Sequence, residues 1–322
     1  MDQAAPRISI IIPVHNGRET IGRCLDSLIR IDHPDFEIII VDDGSTDETP
    51  EICAGYSRVR LVRMPKGGPS KARNAGIRIS RGEFVAFTDG DCIVDRDWLK
   101  ELERGFTSPD MAGVGGDQKS PDDDTGTGVL IQAFLKSVGF VADYVKTGAS
   151  MRETDHNPTC NAMYRKIIVE DVGGFNEDLW PGEDVELDLL IRRRGYKLIY
   201  NPAAVVAHYR PGTYRGFARM LYRYGNAQGY LVRKYGMFRP IHYVPIVAFP
   251  GLFLLLFLSL WHPLVWALPV LTWPLFVFLF RLKTRSLSSG VQFTHLMLIT
   301  LTAWNVGFVG GYLTGRCGVV SS

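Results

Sequence analysis

Over the first third of the chain, short continuous apolar runs alternate with amphipathic stretches and polar loops. Residues 7–13, Arg-Ile-Ser-Ile-Ile-Ile-Pro, form such a run and end at a proline, the pattern of a parallel strand buried on both faces. After the loop Val14-His15-Asn16-Gly17, residues 19–31 place Ile21, Cys24, Leu25, Leu28 and Ile31 on one helical face. Residues 36–41 predict a second strand, closing on Asp42 and Asp43. Ser45 and Glu48 have the spacing of a capping box, and Thr49-Pro50 offers another helix start one turn later. A third strand at 59–64 leads through Pro65-Lys66-Gly67-Gly68-Pro69 into a helix over 70–80, and residues 84–87 are a fourth strand. The order β-α-β-α-β-α-β predicts an α/β fold with a mostly parallel sheet and ligand loops at one edge.

Periodicity fades between Asp110 and Asn157. Residues 121–126 are a polar turn cluster and 130–145 fit one amphipathic helix, an insertion of the kind that serves as a lid or binding surface. A helix then opens at Glu183 and Asp184, with Asp188 paired by spacing to Arg192. Residues 196–200 and 203–207 read as two short strands, the second ending at His208.

Beyond this point the pattern changes. Residues 214–239 interleave Arg215, Arg219, Arg223, Arg233, Lys234 and Arg239 with Phe217, Met220, Leu221, Tyr222, Tyr224, Tyr230 and Leu231. That mixture suits a helix lying on an anionic bilayer surface. Nucleic acid also attracts basic-aromatic stretches, but the next segment argues against it. Residues 243–261 are 19 positions without a charge, about 29 Å of helix against a hydrocarbon core of about 30 Å. Residues 264–280 and 291–312 are two further runs, the last more polar. About three transmembrane helices are therefore expected. The basic flanks 215–239 and 281–285 fall on one side of the membrane, which puts the preceding domain in the cytosol and the turn at Trp261-His262-Pro263 outside. The expected organisation is a catalytic domain over 1–212, a basic interfacial segment over 213–240 and a membrane region over 241–322.

The charge balance supports this division. A formal net charge of +2 conceals 21 basic and 34 acidic residues up to Asp188, and 15 basic and no acidic ones after it. An acidic, cation-binding part joined to a basic, apolar one suits a multi-pass protein of the cell membrane. The five cysteines show no CxxC pair or zinc spacing, which fits a reducing compartment. Residues 1–6 are short and polar with a strand following at once, so no signal peptide is expected.

Candidate chemistry centres on Thr88-Asp89-Gly90-Asp91, at the end of the fourth strand. Ligands of open α/β sheets bind beyond the carboxyl ends of the strands. Two carboxylates flanking one glycine there can share a hard cation such as Mg2+ or Mn2+, which takes its remaining ligands from water and phosphates. An Asp-Gly turn is the plainer account of the same tripeptide. The glycine-rich stretch 66–71 opens a helix and could hold an anion on free backbone N–H groups, with Lys71 and Arg73 nearby. It is neither a P-loop nor a dinucleotide fingerprint.

In this order and spacing the motifs resemble family 2 glycosyltransferases of the GT-A fold, over about residues 9–236. The matching pieces are Pro13-Val14-His15-Asn16 (the family usually has tyrosine at His15), Val41-Asp42-Asp43-Gly44-Ser45, Gly68-Pro69-Ser70-Lys71-Ala72-Arg73-Asn74, Asp89-Gly90-Asp91, Gly173-Gly174-Phe175, Gly182-Glu183-Asp184 and His208. The resemblance implies a nucleotide-diphosphate sugar donor, with Pro13, Val14, His15, Asn16 and Asp43 around the base and ribose and Arg73 near the ribose or phosphates. Asp91, with Asp89, would hold the metal, and His208 resembles a third ligand found in some members. Asp184 would be the general base, with its neighbour Glu183 as the other candidate. A single base on the face opposite the nucleotide implies inversion.

The expected activity is transfer of one sugar to a lipid-linked saccharide or polysaccharide. A polyprenyl-phosphate sugar synthase is the alternative, but the 110–157 insertion offers only Lys119, Lys136, Lys146 and Arg152 to a phosphate acceptor. A non-catalytic membrane subunit keeping a nucleotide-binding fold is a second alternative, opposed by the intact Asp89, Asp91 and Asp184. A processive synthase would carry Gln-x-x-Arg-Trp after Asp184, and this chain does not.

Overall fold

The computed structural model describes residues 7–138, 150–262 and 267–317. Expectations for residues 1–6, for the last turns of the 130–145 helix, for Lys146 and for the chain around Pro263 lie outside the described residues. Two compact units divide the chain, one running to Arg210 and the other from Pro211 to Gly318.

Among the described residues the first unit holds nine strands: β1 (Ile8–Val14), β2 (Phe36–Asp43), β3 (Val59–Met64), β4 (Phe84–Phe87), β5 (Cys92–Val94), β6 (Met111–Lys119), β7 (Arg152–Thr154), β8 (Ala162–Arg165) and β9 (Lys197–His208). Its helices are α1 (Ile21–Leu28), α2 (Thr49–Ala54), α3 (Pro69–Ile79), α4 (Trp98–Glu103), α5 (Gly126–Val138), α6 (Lys166–Asp171) and α7 (Glu183–Arg193). Across the sheet the order is β3-β2-β1-β4-β8-β6-β9-β5, with β7 beside β9. The first four strands pair in parallel, as their pattern predicts. Beyond β4 the expectation of a mostly parallel sheet is corrected: β8 joins β4 and β6 antiparallel, and β5 and β7 join β9 antiparallel. Parallel pairing of neighbouring strands needs a crossover between them; a helix lies between each pair of successive strands among the first four, and farther on, among the described residues, only β6 and β9 pair in parallel.

The unbroken run in β1 follows from burial on two sides. Ile8, Ile10 and Ile12 pack with Cys24, Leu25 and Leu28 of α1 and with Trp98, Leu99 and Leu102 of α4. Ile11 points the other way, to Ile77, Phe87, Phe175, Leu187 and Ile191. Each such side chain, removed from water, contributes ~1.5–3 kcal/mol.

Two strands expected near the end of this unit are one. β9 runs through Asn201-Pro202, and its register on β6 jumps from Gly116↔Asn201 to Asp117↔Val205. Pro202, with no N–H to donate, falls in that irregularity. Gly116 is required there, because a Cβ would sit 1.8 Å from the Ala204 carbonyl oxygen. The capping box is also corrected. α2 begins at Thr49, with Pro50 in its first turn and no side-chain cap. Ser45 Oγ instead accepts from the Asn16 backbone N–H at 2.9 Å, and α1 is shorter than the stretch its apolar face suggested.

The second unit contains α8 (Tyr214–Tyr235), α9 (Val244–Trp261), α10 (Ala267–Thr284) and α11 (Leu287–Thr314). Among the described residues one helix, Leu287–Thr314, is long and apolar enough to cross a membrane. The expected runs 243–261 and 291–312 fall within α9 and α11, and the run 264–280 overlaps α10. The basic segment is helical as expected, and its small and apolar face packs on α11. Gly225 and Gly229 lie against the carbonyls of Trp304 and Phe308, and Gly307 and Gly311 against those of Tyr222 and Asn226. A Cβ at any of the four would fall within 2.1 Å of a carbonyl oxygen.

Candidate active site

The candidate residues gather at the carboxyl ends of β1, β2, β4 and β9 and at the N-termini of α3 and α7. β1 ends with Pro13 and Val14 buried, while His15 and Asn16 stand exposed beyond it. His15 Nδ1 donates to the Asp43 carbonyl oxygen at 2.9 Å. Asn16, at φ +50, accepts the Thr46 N–H on Oδ1 at 2.8 Å. The loops after β1 and β2 are thereby laced together.

Asp43 has a duty the sequence did not suggest. Its carboxylate oxygens accept the N–H groups of Gly67 and Gly68 at 2.6 and 2.8 Å. It shapes the glycine loop that opens α3, and only the second lone pair of each oxygen faces anything else. Gly68, at φ +94, is the cap residue of that helix. Lys71 follows, half-buried in the first turn.

Arg73 ties the centre together. From α3 it donates to Asp89 Oδ1 at 2.9 Å and to Glu183 Oε1 at 2.6 Å, and its guanidinium lies over the Phe175 ring at 5.7 Å. It is almost wholly buried. It bridges two carboxylates, one of them from the Asp-Gly-Asp turn. Burial first, then Asp184, push the Glu183 carboxyl up to about 7 against the pull of Arg73.

α7 starts at Gly182 in the left-handed region, φ +102, a conformation other residues rarely adopt. That start sends Glu183 inward and leaves Asp184 partly open. The Glu183 side chain is 5% exposed and the Asp184 side chain 14%. Asp188, one turn on, is not paired with Arg192. It is fully buried and accepts from His156 Nδ1 at 2.8 Å, from the Asn157 N–H at 2.7 Å and from Tyr164 Oη at 2.9 Å. Arg192 faces out and pairs with Asp155 at 2.7 Å. A carboxylate inside a core needs several donors already in place, and His156, Asn157 and β8 provide them.

Asp89, Asp91, Cys92 and His208 present ligand atoms within 4.8 Å of one another. Sheet register assembles them: Cys92 in β5 is opposite His208 in β9, and His208 Nε2 is 3.6 Å from Asp91 Oδ2. Burial alone would lower the His208 imidazole, but Asp91 and Cys160 outweigh it and push it up to about 10. Burial would likewise raise Asp91, yet His208 holds it below the ordinary carboxylate range. The carboxylates thus call for positive charge at this spot. Two carboxylates and an imidazole fit Mg2+ or Mn2+. Cys92, which the sequence reading passed over, remains a neutral thiol because burial raises it well above its usual value.

The sequence also gave no sign of the His156–Asp188–Tyr164 network. Its one available signal was Asp188 at the i+4 position from Asp184, on the same helix face.

The family model for glycosyl transferase family 2 matches residues 9–173. Glycosyltransferase AglE of Haloferax volcanii is 33% identical over 218 residues, 65% of this chain and 68% of that protein. A protein of Methanococcus voltae is 29% identical over 265 residues, 77% of this chain and 80% of its own. It is named dolichyl N-acetyl-alpha-D-glucosaminyl phosphate 3-beta-D-2,3-diacetamido-2,3-dideoxy-beta-D-glucuronosyltransferase. Among solved structures, mannosyltransferase PcManGT from Pyrobaculum calidifontis, in complex with GDP-Man and Mn2+, superposes with a TM-score of 0.61 at 22% identity. The match covers 94% of this chain and 88% of that one, and it establishes the shared GT-A-like mixed-sheet fold. By the family match and by its motifs, the chain belongs to glycosyl transferase family 2.

Proposed function

We propose that the protein is a membrane-anchored, inverting glycosyltransferase that moves a sugar from a nucleotide-diphosphate donor to a lipid-linked saccharide or polysaccharide acceptor. The observation that carries this reading is the separation of Glu183 from Asp184. Glu183 is committed to Arg73 at 2.6 Å, while Asp184 keeps an accessible carboxylate at the start of the same helix. One open carboxylate is what an inverting base requires.

In this reading the loops after β1 and β2 hold the base and ribose through Pro13, Val14, His15, Asn16 and the scaffold built on Asp43. Lys71 and the N-terminus of α3 face the phosphates. Asp89, Asp91 and His208 would hold Mg2+ or Mn2+, which when bound stabilises charge on the departing diphosphate. Arg73 keeps Asp89 in place and brings a fixed positive charge beside it. Asp184 removes the acceptor hydroxyl's proton as that oxygen attacks the anomeric carbon, and inversion follows from attack opposite the nucleotide.

The second unit supports a membrane setting. Val247, Leu254, Phe257, Leu260 and Trp261 of α9 and Leu271, Leu275, Phe278 and Leu282 of α10 are exposed. So many exposed large apolar side chains on two helices suit a partner surface or a bilayer. With α11 these helices make a multi-pass anchor for a catalytic domain on the cytosolic side, with the basic α8 toward anionic lipid. The name of the Methanococcus voltae relative, which specifies a dolichyl-linked acceptor, supports a lipid-borne acceptor here.

The test is a panel of nucleotide-diphosphate sugars offered to the purified full chain in vesicles, with polyprenyl-linked saccharides as acceptors and Mg2+ or Mn2+ present. Metal-dependent transfer with inverted anomeric configuration is expected. Absence of turnover with every donor would sink the proposal. Transfer to polyprenyl phosphate alone would replace it with the phosphate-acceptor reading.

A further inference from the structure

We infer that His156 is a positioning residue behind Asp184, held by Asp188, which takes up the proton that Asp184 removes from the acceptor. The inference rests on the reading of Asp184 as the base.

The imidazole of His156 is 1% exposed. Its Nδ1–H donates to Asp188 Oδ2 at 2.8 Å, and Asp188 is fixed in turn by the Asn157 N–H and the Tyr164 hydroxyl. A carboxylate held in this way accepts only, so it sets the tautomer and turns Nε2 to the other side of the ring. On that side lies Asp184, its Oδ2 3.8 Å from His156 Nε2. Asp184 and Asp188 are one helical turn apart on the same face of α7, so one helix brackets the ring with both carboxylates. The separation exceeds a hydrogen bond by roughly 0.8 Å, within reach of a small rotation of the Asp184 side chain. The other Asp184 oxygen accepts the Val185 N–H at 2.8 Å, which leaves Oδ2 to move between substrate and imidazole.

Among the described residues, the charged and titratable groups around the ring come from several elements. Asp184 and Asp188 face it from α7, and Tyr164 reaches Asp188 from β8. Glu183 and Arg73 form their own pair beside Asp184. The balance of the step is simple. The acceptor oxygen forms its bond to the anomeric carbon, and the bond to the diphosphate breaks with its electron pair on the leaving group. The hydroxyl proton passes to Asp184 Oδ2 and then to His156 Nε2. The resulting imidazolium lies between two carboxylates, and Asp184 is restored as an acceptor of protons.

A buried His–Asp pair can also serve only to satisfy a core carboxylate, and the experiment separates the two roles. His156→Asn keeps an N–H at the Nδ1 position for Asp188 but removes the titrating nitrogen. Expected are a kcat about 10–100-fold lower, the scale seen when the partner behind a functional side chain is lost, an unchanged donor KM, and loss of the acid limb of the kcat–pH profile. In an Asp184→Asn background the same substitution should change kcat less than about twofold, since residues acting through one another are not additive. A variant with wild-type kcat and pH profile overturns the inference and leaves His156 a core residue. Wild-type transfer by Asp184→Asn alone overturns the base assignment instead. If His156→Asn does not fold, Asp188→Asn takes its place: it frees the tautomer, so the acid limb must move, and an unmoved limb overturns the inference.

Discussion

Arg73 and Glu183 meet at 2.6 Å in the interior of the first unit, 110 residues apart in sequence. Their pairing distinguishes two carboxylates that are neighbours in the chain, for it engages one and leaves the other available. Asp184→Asn should therefore lower transfer by ~10²–10⁴-fold, the usual contribution of a general base, with donor affinity within a few-fold. Glu183→Gln keeps an oxygen for Arg73 and should retain transfer within tenfold. Steady-state kinetics of both variants decide the assignment, and the reverse result moves the base one residue earlier.

Asp91→Asn should weaken metal-dependent binding of a nucleoside diphosphate while leaving the fold intact. A lost charge-assisted contact is worth roughly 1.5–3 kcal/mol, or about 10–150-fold in affinity. Calorimetric titration with and without Mn2+ measures it. Equal affinity in variant and wild type would remove Asp91 from the metal site.

Stability should depend on pH through Glu183. Burial and Asp184 raise its carboxyl from 4.5 to about 7 in the folded chain. A folded value above the unfolded one means that this contribution is complete below pH 4.5 and is lost as pH rises through 7. Glu183→Gln mimics the protonated acid, so it should be as stable as wild type in acid and more stable in alkali. Urea unfolding at about pH 5 and about pH 8 checks this, and a variant that loses stability on the alkaline side refutes it.

A chain ending at Arg210 should fold and bind nucleotide, because its sheet is complete at His208. It should not sediment with anionic vesicles. A chain ending at Pro240 retains α8 without α11 and uncovers the face around Gly225 and Gly229 that packs on it, so it should aggregate or bind vesicles. Sedimentation of the shorter chain with vesicles as strongly as the full protein would remove the helices after Pro211 from any anchoring role.

The crossover half of the sheet was legible because strands buried on two sides are continuous apolar runs and helices carry a one-sided stripe. Asp89, Asp91 and His208 were expected together only through the family resemblance; the residues alone did not place His208 beside the two aspartates, since that depends on the pairing of β5 with β9. Asp188 was misread because spacing offers Arg192 and Asp184 equally, and only the packing of α7 against His156 and Tyr164 turns it inward. Arg73's double role lay beyond spacing arguments, as its partners come from loops far apart in the chain. On α8 the arginines drew attention from Gly225 and Gly229, although the four-residue interval, repeated at Gly307 and Gly311, was present in the sequence.

β9 is the last strand of the sheet to leave the ribosome, more than a hundred residues after Asp89 and Asp91. Until it docks beside β5, the two aspartates have no imidazole beside them and the ligand group does not exist. A nascent or truncated chain that has completed every crossover unit thus still lacks the third of the proposed metal ligands. The same pairing makes assembly all-or-none: a slip of one residue between β5 and β9 would turn His208 to the opposite face of the sheet. In the proposed reading, the donor site is therefore completed by the closing step of folding.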